Sequence, residues 1–578
     1  MSMLGWPIRS LLIWFVLLGA SAAQATLVYK DDESQELVTL RAVGSGVAQG
    51  GYGLGYVRCS LINHDVVPHE VRIELASTRG FDGSVESSRT LTVEPGSRQV
   101  FLPVAVPPAS FAVTLVVGAS KLTSRCRFDS GKTVMGMLLT ERADLEPAAL
   151  AVLQAMPALR GSSSQDQVVV HPDEAPTDWR FYTGYSTLLV DGRASLLPDT
   201  QEALRRCAFA GGTVVVAGTE ALPPGPLREL ADVASRARDG SLTMAHGLGR
   251  VVAIPALSAS GSVDLQAQLG ALPTLGAPLW PAANELFAIQ KIPGLGEAPV
   301  GVFLLVILAF AILVGPVNFW ILRKRKRPLL ALLTVPLLGF GTTFVILGYG
   351  IFHDGFAVRG VVTSWSVLDQ ERHEVATVSA RTLFAGLAPN DLSMPSDVIL
   401  LSQRASLDSS RLPDYWRWDG DAQRLDGGVL PSRTVTPLVS VQQGAARDRL
   451  TFRKSGDGVE VLGDTLQCDG EVLLSDLEGR FYRGSGGRLR EVDRREFALA
   501  LRSWQTVART LSGVGDSVPE QGAGFAISSL LPKTSGRRGF YLAQFQRLPW
   551  GDEHSLEIEY SKQRHYVFGR LSAEDFVR

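Results

Sequence analysis

The sequence predicts a multidomain α+β membrane protein, in which a β-sandwich, a small α/β domain with a parallel sheet, a two-helix transmembrane hairpin and a C-terminal all-β domain follow one another. Three observations lead there. Two stretches without a charged residue, Gly301–Leu322 and Leu329–Phe352, enclose the run Arg323-Lys324-Arg325-Lys326-Arg327. On both sides of them apolar and polar residues alternate in short runs broken by turn residues, the period of half-buried strands. Between about Glu146 and Pro255 the rhythm changes to helix and strand in turn, the pattern of a parallel sheet with crossover helices. At 578 residues the chain exceeds what one core can organise, because domains hold roughly 100–200 residues. The 56 Lys and Arg nearly balance the 58 Asp and Glu, and outside the one cluster the cations are scattered. That argues against a nucleic-acid partner.

Residues 1–25 read as a secretory signal peptide. Arg9 supplies the positive flank, Leu11 to Leu18 the apolar run, and Ala23-Gln24-Ala25 the small residues of a cleavage site. Cleavage after Ala25 is expected, with an uncleaved anchor as the alternative, and in both cases the following residues are exported. No cysteine stands at the cleavage site to carry a lipid.

The stretch 26–140 reads as an immunoglobulin-like β-sandwich. Val57, Cys59 and Leu61 share one face of a strand, as do Val71, Ile73 and Leu75. His64 and His69 lie in the polar turn between them and read as solvated loop residues, since a zinc site needs a third ligand at suitable spacing. Cys59 and Cys126 are a candidate disulfide of an oxidising compartment, with the bridged and unbridged forms both open. Cys207 and Cys468 have no evident mates and read as small buried hydrophobes.

In the α/β stretch 146–260, Gln167 to His171, Ser186 to Asp191 and Thr213 to Ala217 read as short strands. Asp199 to Ala210 reads as an amphipathic helix opened by Pro198-Asp199 and closed by Gly211-Gly212. The run Asp178-Trp179-Arg180-Phe181-Tyr182-Thr183-Gly184-Tyr185, the strand Ser186 to Asp191, the helix and Gly211 to Gly218 together resemble the class I glutamine amidotransferase-like fold. The resemblance implies a cysteine or serine nucleophile on a sharp turn after the last strand. Here that place reads Ala217-Gly218-Thr219-Glu220. Thr219 would need a positioned base, and His246, in the glycine-rich run Ala245 to Arg250, is the one histidine in reach of the argument. A degenerate, non-catalytic copy is the expectation. Asp191-Gly192-Arg193-Ala194-Ser195 resembles the D-x-S-x-S metal motif of von Willebrand A domains but lacks its middle serine, so a magnesium ion would lose an oxygen ligand. Asp31-Asp32-Glu33 reads as a solvated flank rather than an acid/base pair. Neither a G-x-S-x-G elbow, a P-loop, an H-E-x-x-H nor paired C-x-x-C motifs occur. Residues 261–299 read as a linker.

The spans 301–322 and 329–352 each reach the ~20 residues that cross a ~30 Å hydrocarbon core. The cytoplasmic loop 323–328 between them is fixed inside by its charge, so the second span leads the chain out again and both large regions are extracytoplasmic. Pro316 removes a helix hydrogen bond, and Asn318 is costly in lipid unless paired. Gly315, Pro316 and Asn318 in the first span, and Pro336 with Gly339, Gly341, Thr342 and Thr343 in the second, are the expected packing residues of the hairpin. Without an ionisable group in either span, an ion pathway is not expected.

Residues 353–578 again alternate in short strands, with Ser455-Gly456-Asp457-Gly458 as a hairpin signal and one helical insertion near Asp493 to Leu511. Tyr415, Trp416 and Trp418 are read as core or rim aromatics, with a carbohydrate platform as the alternative. The whole arrangement, and Gly315-Pro316-Val317-Asn318 in particular, resembles a family of poorly characterised bacterial membrane proteins. The resemblance implies an accessory envelope protein in the inner membrane and supplies no catalytic, cofactor-binding or metal-binding residue. The expected function is non-enzymatic: anchorage in membrane lipid and capture of protein or polysaccharide partners by the exported domains. An altered amidotransferase or peptidase, and an accessory subunit of a transporter, are the alternatives.

Overall fold

The structure is a computed structural model that describes residues 24–30, 34–44, 55–77, 85–104, 110–127, 133–149, 165–185, 187–218, 224–233, 235–236, 242–254, 292–293, 300–326, 328–389, 391–395, 397–402, 415–419, 422–426, 430–463, 468, 470–511, 538–548, 550 and 556–577. The expected signal peptide up to residue 23, Asp31-Asp32-Glu33, Thr219-Glu220 and most of the linker 261–299 lie outside the described residues. What is described is mostly β-sheet with few helices.

Eight antiparallel strands come first: β1 (Gln24–Lys30), β2 (Glu36–Gly44), β3 (Gly55–Asn63), β4 (His69–Ser77), β5 (Val85–Val93), β6 (Gly96–Val104), β7 (Ser110–Val117) and β8 (Ser120–Arg127). They form two layers, β1-β2-β3-β6 and β5-β4-β7-β8. The alternation dictates the packing, because side chains two apart share a face. Val57, Cys59 and Leu61 of one layer meet Val71, Ile73 and Leu75 of the other in a single core.

The α/β layer comprises β9 (Thr133–Leu139), β10 (Gln165–Val170), β11 (Thr187–Asp191), α1 (Pro198–Phe209), β12 (Thr213–Ala217), β13 (Ser235–Arg236), β14 (Leu242–His246) and β15 (Gly249–Ile254). Its order is β10-β9-β11-β12-β15-β14-β13. The first five strands are parallel and the last two turn back antiparallel. β9 corrects the expected boundary at residue 140, since it belongs to this sheet and not to the sandwich. Its end is a continuous buried run, Met137-Leu138-Leu139, as a parallel strand covered on both faces requires. Helix α1 starts at Pro198 and ends where Gly211, at φ +121°, reverses the chain. Cys207 is fully buried in this helix, and burial pushes its thiol up to about 12, so it behaves as a small hydrophobe.

Helices α2 (Val300–Ile312), α3 (Asn318–Lys324) and α4 (Ala331–Asp354) follow, α2 and α3 being joined by a π-turn over Leu313–Val317. Beyond them come β16 (Val358–Asp369), β17 (Glu374–Ala385), β18 (Asp391–Pro395), β19 (Val398–Ser402), β20 (Tyr415–Asp419), β21 (Ala422–Asp426), β22 (Val435–Ala445), β23 (Leu450–Ser455), β24 (Gly458–Gly463), β25 (Glu471–Ser475), β26 (Phe481–Ser485), β27 (Arg488–Val492), α5 (Arg494–Leu511), β28 (Phe540–Phe545), β29 (Ile558–Arg570) and β30 (Phe576–Val577). Twelve of these strands make one sheet, ordered β19-β22-β17-β16-β29-β28-β25-β26-β27-β24-β23-β30. The hairpin at 455–458 has Ser455 paired with Gly458 and Gly456 at φ +58°, the positive φ that a tight turn asks of its first central residue.

Two features tie the regions on either side of the helices together and correct their division into separate domains. Strands β18, β21 and β20 leave the C-terminal sheet and extend the second layer of the sandwich, where Trp416 pairs with Ser87 in a parallel β20–β5 contact. One contiguous apolar core contains Met137, Leu204 and Val214 of the α/β layer together with Trp365, Val378 and Val439 of the C-terminal sheet.

Candidate functional site

Among the described residues one helical stretch, Leu304–Lys324, is long and apolar enough to cross a membrane. The apolar part of α4 is shorter, Ala331–Ile346. Leu305, Leu308, Phe319, Leu332, Leu337 and Phe344 are all more than half exposed. Apolar side chains at this density on both helices of a pair leave a surface that water does not tolerate without a covering phase. Pro316 explains the π-turn: with no N–H to bond and a ring that would clash with the carbonyl four residues back, it forces a wider turn, which closes where Asn318 N–H bonds the carbonyls of Leu313 and Gly315. The turn aims the Asn318 side chain at α4, where Nδ2 donates to Thr334 Oγ1 at 3.0 Å. Asn318 is buried although its neighbours Phe319 and Trp320 are exposed.

The other expected packing residues are arranged differently. A Cβ added at Gly315, Gly339 or Gly341 would meet nothing within 4 Å, so these glycines do not mediate a close approach of the two helices. Thr342 and Thr343 donate to the carbonyls of Leu338 and Gly339 in their own helix, and Pro336 sits inside α4. Thr334, which the sequence reading passed over, carries the interhelical bond instead. Its signal was the chemistry of Asn318, which needs a polar mate in the facing apolar run. At the end of α3, Arg323, Lys324, Arg325 and Lys326 are exposed, and Lys324 Nζ lies 5.3 Å from the centre of the Trp320 ring.

Asn318→Leu is expected to leave insertion intact, because leucine is better tolerated in lipid, and to weaken the pair by about 0.6 kcal/mol and at most ~1.7. Disulfide cross-linking between cysteines placed in α3 and α4 reads this out. A drop in yield with Asn318→Leu, matched by Thr334→Val, is the expected result, and unchanged yield in both would show that the amide has no part in holding the helices.

The second candidate is the carboxyl edge of the parallel sheet. The order β10-β9-β11-β12-β15 reverses direction at β9, and ligands of open α/β sheets bind beyond the strand ends at such a point. There, Thr140 Oγ1 donates to Asp191 Oδ2 at 3.1 Å, and the backbone N–H of Arg193 donates to Asp191 Oδ1 at 3.1 Å. Both carboxylate oxygens of the buried Asp191 are thus engaged, one in closing its own turn and the other in tying it to the end of β9. Among the described residues no group of three His, Cys, Asp or Glu is placed to hold a metal ion.

His246 lies at the other end of the sheet. Ala217 closes β12 beside Ile254, whereas Thr213 opens it beside Arg250, and the β14–β15 turn that carries His246 is at this opening edge. The carboxyl end of β12 at Ala217 and the turn that carries His246 are therefore separated by the length of β12, roughly 15 Å at ~3.3 Å per residue. That distance does not allow a nucleophile and its base. His246 is instead a buried member of a polar cluster under α1, its ring tilted against that of Phe209 at 4.9 Å between centroids and its Nε2 3.3 Å from Arg205 Nη1. Burial, reinforced by Arg205, lowers its pKa to about 3, so it is neutral. Arg205 binds Glu202 at 2.7 Å and, across the interface, Glu374 at 2.5 and 2.8 Å, while the neighbouring Arg206 Nε donates to Gln443 at 3.3 Å. Sequence reasoning missed this cluster. Its trace was Gln201 and Arg205, buried polar residues one turn apart on the side of α1 that also carries Ala208 and Phe209.

The remaining candidates have local roles or lie outside the described residues. His64 Nε2 pairs with Thr39 Oγ1 at 3.0 Å and His69 Nε2 with Asp65 Oδ2 at 2.9 Å, so the two rings serve separate contacts. Cys59 is buried in the sandwich core, and Cys126 lies on β8 opposite Phe111, its side chain outside the described residues. Tyr415, Trp416 and Trp418 form β20, with their side chains likewise outside the description.

No protein-family model and no curated protein matches the chain. Among solved structures, Legionella pneumophila aminopeptidase A in complex with aspartic acid is similar over 19% of this chain at 11% identity and TM-score 0.12, and the chain spans 13% of that aminopeptidase. Parabacteroides merdae beta-glucuronidase is similar over 81% of this chain and 73% of its own, at 7% identity and TM-score 0.13. At such TM-scores neither likeness carries an argument about fold or function.

Proposed function

We propose that this chain is a non-enzymatic, membrane-anchored envelope protein of the poorly characterised bacterial family that it resembles. In this reading the helices form a transmembrane hairpin whose basic loop stays in the cytoplasm. An immunoglobulin-like sandwich, a degenerate amidotransferase-like layer and the C-terminal sheet stand together outside the inner membrane, where they hold a protein or polysaccharide partner. The observation that carries the reading is the exposed apolar surface of α2 to α4, ended by four exposed cations.

Topology has support of its own. The Arg205–Glu374 ion pair and the β5–β20 pairing join residues before and after the helices, which requires both regions to be on one side of any membrane that the helices enter. A hairpin satisfies this; a single crossing does not. The non-catalytic reading is supported by the separation of His246 from the strand end that would carry a nucleophile.

Accessibility to a membrane-impermeant thiol reagent tests the proposal. In a background lacking Cys468, cysteines at the exposed positions Asp199 and Asp457 are expected to be labelled in cells with a permeabilised outer membrane, and one at Lys324 only after the inner membrane is opened. Labelling of Asp199→Cys and Asp457→Cys from opposite sides, or of Lys324→Cys in intact inner membranes, would sink it.

A further inference from the structure

Arg250 is the first residue of β15 to pair with β12 and is only 5% exposed. Its Nε and Nη2 are buried and have no hydrogen-bond partner among the described residues. These two N–H groups point the same way, forming the side-on fork that matches the two oxygens of a carboxylate or phosphate. In Arg142 and Arg180 the same pair of nitrogens is filled, on Asp144 and Asp178 respectively.

The fold explains why Arg250 lacks such a carboxylate. Along β15, Val251 and Ala253 enter the core beneath α1, so by the alternation of a strand Arg250 stands on the opposite face with Val252 and Ile254. Glu202 and Glu374 are committed to Arg205, under the helix on the first face. In register, Arg250 is flanked by Thr213 of β12 and Ala245 of β14, neither of which brings a charge. Burial lowers its pKa to about 9, which still leaves the guanidinium charged at neutral pH. A buried cation without a counter-ion is strongly unfavourable, and its pairing with the first residue of β12, Thr213, places it near the rim of the sheet.

We propose that Arg250 anchors an oxyanion site at the amino edge of the α/β layer, receiving the carboxylate or phosphate group of a small ligand side-on through Nε and Nη2, beside Thr213. The site is distinct from the carboxyl edge where ligands of such sheets usually bind, and it gives the layer a recognition role without chemistry.

Full-length protein in detergent is heated in sodium chloride, sodium phosphate or sodium acetate at matched ionic strength. A saturable rise of roughly a few degrees in the melting midpoint is expected with one of the two oxyanions. A response to phosphate alone identifies a phosphorylated ligand, and a response to acetate a carboxylate. Arg250→Met is expected to melt at or above the wild type in chloride, since it removes an uncompensated buried charge, and to lose the saturable response. Arg250→Lys keeps the charge but not the fork, and is expected to lose most of the response; it serves if the methionine variant does not fold. An equal rise in wild type and variants, or none in the wild type, overturns the proposal. So does an Arg250→Met protein that melts well below the wild type in chloride, because the arginine would then already be compensated within the fold.

Discussion

Gly569→Ala is expected to cost about 2–6 kcal/mol and to lower the amount of folded protein recovered. Gly569 on β29 pairs directly with Tyr541 on β28, and the tyrosine ring lies over the glycine so closely that an added Cβ would overlap its ring atoms and hydroxyl. The ring cannot retreat. Tyr541 is fully buried, 5.5 Å from Phe452 between centroids, and its hydroxyl donates to Gln370 Oε1 at 2.9 Å. Gln370 in turn bonds both backbone groups of Leu450, at 2.9 and 3.3 Å, and so pins the start of β23. One methyl group therefore adds the strain of overpacking to the loss of a buried hydrogen-bonded hydroxyl, roughly 1–3 kcal/mol each. Tyr541→Phe removes only the hydroxyl and should cost about 1–2 kcal/mol. Thermal melting of the two variants checks the order; a neutral Gly569→Ala would mean that the ring does not cover the glycine.

Glu374→Ala is expected to cost about 2–4 kcal/mol, because it strips Arg205 of its cross-interface partner while Glu202 stays. Burial works against the charge of Arg205, and its hydrogen bonds to Glu202 and Glu374 more than offset this, raising its pKa. Replacing both partners, as in Glu374→Leu with Arg205→Met, should recover much of the loss, since no charge then remains buried. The same cluster gives the fold an acid sensitivity. His246 titrates at about 3 in the folded state and near 6.5 when unfolded. The unfolded chain thus binds more protons between those values, so stability is full above about pH 6.5 and falls by up to ~1.4 kcal/mol per pH unit on acidification toward 3. Arg205, Arg372 and Arg570 all act in the same direction on the ring. His246→Phe should flatten the melting midpoint over this window, and an unchanged slope would remove the histidine from the account.

The strands that the sequence made legible are those whose signal is local. Val57, Cys59 and Leu61 reveal β3 by alternation, Ser455-Gly456-Asp457-Gly458 reveals a turn, and Pro198 with Gly211-Gly212 brackets α1. The apolar runs and the cations between them are equally plain, although among the described residues the first run alone is both long and apolar enough to cross a membrane, and the glycines of the second are open. What could not be read is pairing between distant segments. β16 lies parallel to β29 and β20 lies parallel to β5, and no feature of either strand names its partner. The expectation of one sandwich over 26–140 places β9 in the wrong sheet, although its end, Met137-Leu138-Leu139, has the continuous apolar character of a doubly covered strand. At the polar cluster only His246 stands out in the sequence, and its meeting with Arg205 and Glu374 depends on how two sheets face each other, which side-chain periodicity does not encode.

The pairing of Ser87 with Trp416 has a consequence for the order of events during synthesis. Parallel contacts between segments so far apart form late, because the chain between them must first be closed into a loop. Until the segment after Asp354 has been made, β5 presents an open edge and Met137, Leu204 and Val214 lack their cover from the C-terminal sheet. At ~5–20 residues per second that interval is on the order of half a minute. An open edge beside uncovered apolar surface invites pairing with other chains, so the N-terminal half should need a chaperone during this interval, and a version truncated after Asp354 should accumulate as aggregate rather than as a stable fragment.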